Sequence, residues 1–282
     1  MCSFNVQSFG PNKAKNDNVV DILQKIFSRY DLCLIQEIRD IGDTAVNILL
    51  KAINKNANNY HVILSDRLGR SVSKERYAFL YKKNKIQVID SFHFNDEKYG
   101  DLFEREPFIA RFSTSGVKVK EFFVVGIHVS PGKAKEEVGN LVKAYDDAVA
   151  RFGIQDGIIM GDFNAGCSYF PMKYWKDNAL RQDTRFTWLI GDDADTTVGK
   201  GKCAYDRIVV GGTNLPNHIK NAATFLYDVH FQLDLETASS VSDHYPVEFE
   251  IEENSSNCLS LPSFALLLVA LLVEYSTSQC NM

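Results

Sequence analysis

Apolar positions along the chain follow two periods in turn. In residues 17–30, Val19/Val20, Ile22/Leu23, Ile26/Phe27 and then Tyr30 recur at the spacing of one helix face. Residues 134–152 repeat that pattern with Val138, Leu141/Val142, Tyr145, Val149 and Phe152. Each is followed by a short apolar run of strand length, at 32–35 and 157–160. Further runs at 77–81, 121–127, 207–210 and 247–251 also read as strands. Helical and strand periods interleaved in this way predict an α/β chain with helices packed over sheets. No internal repeat, low-complexity tract or long polar linker interrupts the chain before residue 252, so one domain over 1–252 is expected.

The polar residues fall at the ends of the apolar runs. One run ends in Gln36 and Glu37, another in His128, and a third in Gly161, Asp162, Phe163 and Asn164. Asp206 and the pair Asp243 and His244 stand just before runs of their own. A sheet holds such terminal side chains rigidly around a single crevice, which is where sheet enzymes gather their ligands. Taken singly, each has a plainer reading. Glu37, Asp162 and Asp243–His244 could be solvated turns or caps, and His128 a satisfied core histidine. Their number and order favour a site.

Composition adds bounds. The 282 residues are 45% hydrophobic and 12% aromatic, enough for a large core, and the formal net charge is −5. That charge argues against a module that clings to DNA through its phosphates, but not against a hydrolase that must release its product. None of the six cysteines lies in a CxxC pair or with zinc-ligand spacing. Cys2 and Cys33, inside apolar runs, read as buried free thiols. Cys167 and Cys203 flank a polar loop and can pair in an oxidising compartment.

After Glu253 the character changes. A small polar stretch from Asn254 leads into a wholly apolar run over 264–273, too short for the ~20 residues of a spanning helix. Small residues, a spacer and a hydrophobic run suit a glycosylphosphatidylinositol-attachment signal over 253–282, with a retained membrane tail or a plain secreted extension as the alternatives. The polar residues 274–282 fit such a signal poorly. Asn254 opens the one N-glycosylation sequon. No signal peptide opens the chain, and an anchor needs one, so a further N-terminal segment is expected. The residues after Glu253 contribute only Glu274, leaving residues 1–253 at 31 − 35 = −4.

The ordered set Asn5, Gln36–Glu37, His128, Asp162–Asn164, Asp206–Arg207 and Ser242–His244 resembles the endonuclease/exonuclease/phosphatase superfamily. Within it, the stretches around Leu68–Arg70, Lys74–Tyr77, Arg105–Pro107, Cys203–Val210 and Ser242–Glu248 are similar to the deoxyribonuclease I family, over about residues 2–251. The hydrophobic tail is similar to that of its membrane-tailed branch. The resemblance implies a four-layer sandwich of two packed mixed β-sheets flanked by helices, with the site at one edge. It implies a monomeric, Mg²⁺- and Ca²⁺-dependent endonuclease on double-stranded DNA with little sequence preference. Secretion, to the cell surface or beyond, goes with it.

Residue by residue, it implies His244 as general base with Asp206 fixing its tautomer, and His128 as general acid paired with Glu75. Glu37, Asp162 and Asp243 would hold the metal. Asn5, Asn164 and Arg105 would meet phosphate oxygens, and Arg39 would reach the minor groove. Asp195 and Thr197 fall in a loop, 192–202, that resembles a structural calcium loop, though Gly199 and Gly201 stand where threonines can occur. Cys167 and Cys203 match the family's long-loop disulfide, while its small second disulfide has no counterpart around 95–101. Ser73 stands where the family often has a Tyr that stacks on the DNA. Residues 60–64 depart from the family, so actin binding is not expected. Two rivals remain: a phospholipid or inositol-phosphate phosphoesterase of the same superfamily, which needs neither the His128–Glu75 pair nor Arg39, and a non-catalytic binding protein.

Overall fold

The computed structural model describes residues 1–56 and 59–254. The strands are β1 (Cys2–Phe9), β2 (Leu32–Ile38), β3 (Tyr60–Leu64), β4 (Arg76–Lys82), β5 (Ile86–His93), β6 (Phe108–Thr114), β7 (Glu121–His128), β8 (Gly157–Asp162), β9 (Phe186–Trp188), β10 (Asp206–Gly211), β11 (Ile219–Thr224) and β12 (Val247–Ile251). The α-helices are α1 (Pro11–Ala14), α2 (Asp17–Phe27), α3 (Thr44–Ile53), α4 (Ala134–Phe152), α5 (Ala179–Gln182), α6 (Tyr227–Phe231) and α7 (Leu235–Val241). Two six-stranded sheets result, in the orders β11-β12-β1-β2-β4-β3 and β5-β6-β7-β8-β10-β9. Both are mixed: β1/β2 and β7/β8 are parallel, and the remaining pairs are antiparallel.

The helices form where local chemistry and apolar spacing agree. Asn16 caps α2 by accepting the N–H groups of Asn18 and Val19, and Val19, Val20, Ile22, Leu23, Ile26 and Phe27 are all buried. The helix ends at Phe27, short of the 17–30 periodicity. Tyr30 is buried from the turn beyond it, where its hydroxyl meets Glu248. The longer helix α4 covers 134–152 as its periodicity predicts and closes on Gly153 at φ 70°.

Three cores build the layers. Phe4, Val6, Cys33 and Ile35 face α2, α3 and α7. Phe123, Val125, Ile127 and Ile159 face α4. Between the sheets, Leu34 and Phe79 from one meet Phe108, Phe112, Val124 and Met160 from the other. The alternation of strand side chains produces this: each strand sends every second residue inward to the facing sheet and the others out to helices. Gly126 lets the sheets approach, since a Cβ there would lie 2.8 Å from Leu34 Cδ1 and 3.2 Å from Phe79 Cζ. The architecture is the four-layer sandwich of mixed sheets that the resemblance implies.

By Cα proximity the chain divides into Met1–Glu252 and Glu253–Met282. Among the described residues, no helix is long and apolar enough to cross a membrane. The anchor signal, Cys258 and Cys280 lie outside the described residues, and Asn254, the last of them, is exposed.

Candidate active site

The two parallel strand pairs end at the same place. In the second sheet, register sets His128 opposite Asp162 and Asp162 opposite Asp206, one row across β7, β8 and β10. Side chains in one row leave one face, so an imidazole and two carboxylates converge. In the first sheet, Asn5 pairs with Gln36, and both strands then bulge. Gln7, Ser8 and Glu37 take positive φ there, at 27°, 51° and 57°. Such backbone costs roughly 1–3 kcal/mol per residue and survives where surrounding contacts impose it. Here Ser8 N–H donates to Glu37 Oε2 (2.8 Å) and Gln7 N–H to Asn5 Oδ1 (2.9 Å). The bulge thus aims Glu37 inward. Gly161 is obligatory, because at its φ of +150° a Cβ would fall 1.8 Å from Ile127 O.

Asp162 Oδ2 is the geometric centre. Asn5 Nδ2 donates to it (3.1 Å) and to Glu37 Oε1 (3.0 Å), so one amide ties the two sheets' carboxylates together. The same oxygen lies 3.5 Å from His128 Nε2 and 3.7 Å from His244 Nε2. The two Nε2 atoms are therefore no more than 7.2 Å apart, the sum of those distances. Each ring is held from behind: His128 Nδ1 by Glu75 Oε2 and His244 Nδ1 by Asp206 Oδ2, both at 2.8 Å. This leaves both Nε2 atoms toward the same small space.

The electrostatics follow from crowding. Burial works to raise the Glu75 pKa, but the bond and charge of His128, with Arg105 and Arg39, outweigh it and hold the carboxyl at about 2. For His244, burial opposes the charged ring, yet Asp206, Asp162 and Asp243 together push it up to about 10. Burial pushes the Asp206 carboxyl up, and the charge and hydrogen bond of His244 oppose that rise.

The remaining sequence-derived residues divide. Arg39 bridges Glu75 (2.8 Å) and Glu37 (3.5 Å) from a part-exposed position. Arg105 donates from Nε to His128 O (3.1 Å), while its Nη2 is buried with no protein partner. Asp243 is half exposed, 3.8 Å from His244 Nε2. Asn164, at φ 48°, donates its side-chain amide to Val129 O (2.9 Å) and its backbone N–H to Asp162 Oδ1 (2.9 Å), so it orders the loop around Asp162. Cys167 and Cys203 form a disulfide, and Cys2 and Cys33 are buried free thiols. Asp195 accepts from Thr197 N–H and Oγ1 within their loop.

Two clusters of three ligand-bearing side chains lie within shared reach of one cation among the described residues: Asp162/Asp206/His244 and Asp96/Asp101/Glu106. Asp195 belongs to neither. In the first, Asp206 Oδ2 is bonded to His244 Nδ1 while its Oδ1 has no protein partner; Glu37 and Asp243 belong to neither cluster. Five carboxylates against two guanidinium groups leave the site anionic, and hard oxygen donors of this kind fit a divalent cation.

Three further residues support these groups. Tyr77 Oη accepts His128 N–H (2.9 Å), and Ser242 Oγ accepts His244 N–H (3.1 Å) while donating to Asn5 O (2.7 Å). Thr196 Oγ1 accepts Asp206 N–H (3.1 Å). Tyr77 and Ser242 lie in the family-like stretches 74–77 and 242–248, whereas nothing in the sequence around Thr196 signals its part.

The Endonuclease/Exonuclease/phosphatase family profile matches residues 2–244. The chain is 41% identical to deoxyribonuclease gamma of Homo sapiens over 274 residues, covering 94% of this chain and 90% of that protein. It is 42% identical to deoxyribonuclease-1 of Sus scrofa over 258 residues, covering 89% and 91%. An endonuclease/exonuclease/phosphatase family protein from Leptotrichia buccalis superposes with a TM-score of 0.63 at 18% identity, covering 89% of this chain and 99% of that one. Humanized D. rerio TDP2 superposes at 0.60 and 14% identity, covering 88% and 97%. With these two structures the likeness is one of fold.

Proposed function

The chain belongs to the deoxyribonuclease I family of the endonuclease/exonuclease/phosphatase superfamily, and on that premise we propose that it is a divalent-cation-dependent endonuclease that hydrolyses the phosphodiester bonds of double-stranded DNA. One observation carries the reading: two carboxylate-backed imidazoles present Nε2 to the same oxygen of Asp162, within 7.2 Å of each other by the two distances to it. That gap suits a tetrahedral phosphate.

Hydrolysis of a phosphodiester needs a base for water, an acid for the leaving oxygen and compensation of phosphate charge. His244 takes the proton of the attacking water at Nε2, with Asp206 holding Nδ1–H and steadying the resulting imidazolium. His128 delivers a proton from Nε2 to the departing sugar oxygen, with Glu75 in the same supporting role. Arg105 turns its unpartnered Nη2 to a phosphate oxygen, and Asn5 holds Glu37 and Asp162 in place. Glu37, Asp162 and Asp243 would hold a divalent cation, which would supply Lewis-acid charge at the scissile phosphate. With Asp162 and Asp243 holding a cation, less negative charge would face the His244 ring, which would favour its neutral form as base.

Arg39, part exposed beside the site and paired with Glu37 and Glu75, is the residue we assign to the minor groove, where contacts follow groove shape more than sequence. The finer assignments belong to the same proposal. Mg²⁺ serves at the centre, and Ca²⁺ in the loop of Asp195 and Thr197. The protein works as a monomer in the secretory pathway or at the cell surface, carrying the 253–282 tail and sugar on Asn254. The Cys167–Cys203 disulfide supports an oxidising compartment.

The test is plasmid nicking by the full chain beside phosphocholine release from sphingomyelin. Nicking with Mg²⁺ and Ca²⁺ that stops in excess EDTA is expected; release from lipid without nicking would transfer the assignment to the phospholipid phosphoesterase.

A further inference from the structure

Cys2 and Cys33 play no part in the chemistry above. They are register partners on the parallel strands β1 and β2, so both side chains leave the same face of the sheet. That face packs against the helices, and both residues are wholly buried in its core. Their sulfurs stand 2.6 Å apart. This is nearer than unbonded sulfurs tolerate, and only about half an ångström beyond the ~2.0 Å of a disulfide bond. Adjacent strands run ~4.8 Å apart, inside the ~4.4–6.8 Å Cα separation that disulfides span. Closing the bond requires side-chain adjustment and no shift of the sheet.

We propose that Cys2 and Cys33 are a modification site, joined by a cross-strand disulfide when the chain folds in an oxidising solution. Two thiols give up two protons and two electrons as the S–S bond forms. A small-molecule disulfide accepts them and is cleaved to two thiols. The thiolate is the attacking species, and burial disfavours it at Cys2 once the sheet is covered. The exchange therefore belongs to the folding chain, after β1 and β2 pair and before α2 and α3 close over them. The bond would clamp the two strands three residues upstream of Asn5 and four upstream of Glu37, ahead of the bulge that carries both into the site.

The test uses the full chain refolded in reduced and oxidised glutathione, alkylated under denaturing conditions without reductant, digested and weighed. Recovery of the Cys2 and Cys33 peptides joined, two hydrogens lighter than the free pair, is expected. Recovery of both as alkylated thiols, or of either joined to Cys258 or Cys280, overturns the proposal. A second measurement separates the bond from packing. Cys33→Ala should melt below wild type in the glutathione buffer, and that deficit should shrink by on the order of 10 °C in dithiothreitol. An equal deficit in both buffers would mean lost packing alone and would also overturn it.

Discussion

Replacing Glu75 by Gln removes one charge and almost no volume, and the structure sets what this should cost. Its carboxylate accepts from His128 Nδ1 and Arg39 Nη2, both at 2.8 Å, and lies 3.7 Å from Arg105 Nε. These partners hold its pKa at about 2 against an ordinary 4.5. At about 1.36 kcal/mol per unit, the native state draws about 3 kcal/mol from the ionised group. Because the folded pKa is the lower one, that contribution is present above pH 4.5 and lost as pH falls through about 2. Glu75→Gln should therefore unfold in urea about 3 kcal/mol more easily than wild type at pH 7, with the gap closing toward pH 2. Activity should fall further than stability. The amide can donate to Nδ1 and strand the ring in the wrong tautomer, and it no longer supports an imidazolium, so kcat for plasmid nicking should drop ~10²–10⁴-fold. A variant with wild-type kcat, or a stability gap that does not change with pH, would refute this account of the dyad.

Other outcomes follow from the same geometry. His128→Ala and His244→Ala should each lower DNA cleavage ~10²–10⁴-fold while circular dichroism stays native, since each ring is a proton carrier at the rim of the sheets. In EDTA, stability should decline from pH 6.5 toward pH 10, because the folded His244 pKa of about 10 exceeds its ordinary 6.5 and the favourable charge disappears through that window. Thermal melts across that range should show the decline in wild type and a flatter profile in His244→Ala. Cys203→Ser opens a loop of sequence separation 36 and should cost roughly 2–4 kcal/mol in urea unfolding.

The chain announces its helices and inner strands plainly where one face is apolar and the other wet, as in α2 and α4. It conceals α3, whose Ile48 and Leu50 fill the gaps between buried Ala45, Val46, Leu49 and Ile53 and blur the helical period. It also conceals β11, a mostly exposed edge strand held by pairing with β12 and not by any alternation of its own. The site was legible as a succession of strand-end residues, because sheet register alone aligns His128, Asp162 and Asp206. The bulge at Gln7, Ser8 and Glu37 was not legible, since positive φ at such residues is imposed by hydrogen bonds from distant segments. Nor were the committed amides of Asn5 and Asn164, which the residue types alone suggest are free for phosphate.

No single sheet owns the reaction centre. Asn5 and Glu37 ride on one, His128, Asp162 and Asp206 on the other, and the layer of Leu34, Phe79 and Val124 sets the gap between them. The interior of this molecule thus works as a caliper as well as a scaffold. A single methyl at Gly126, remote from any reacting atom, would wedge against Leu34 and Phe79 and spread the jaws. Catalysis would register that misfit by fractions of an ångström, alongside the roughly 1–3 kcal/mol that overpacking a core costs.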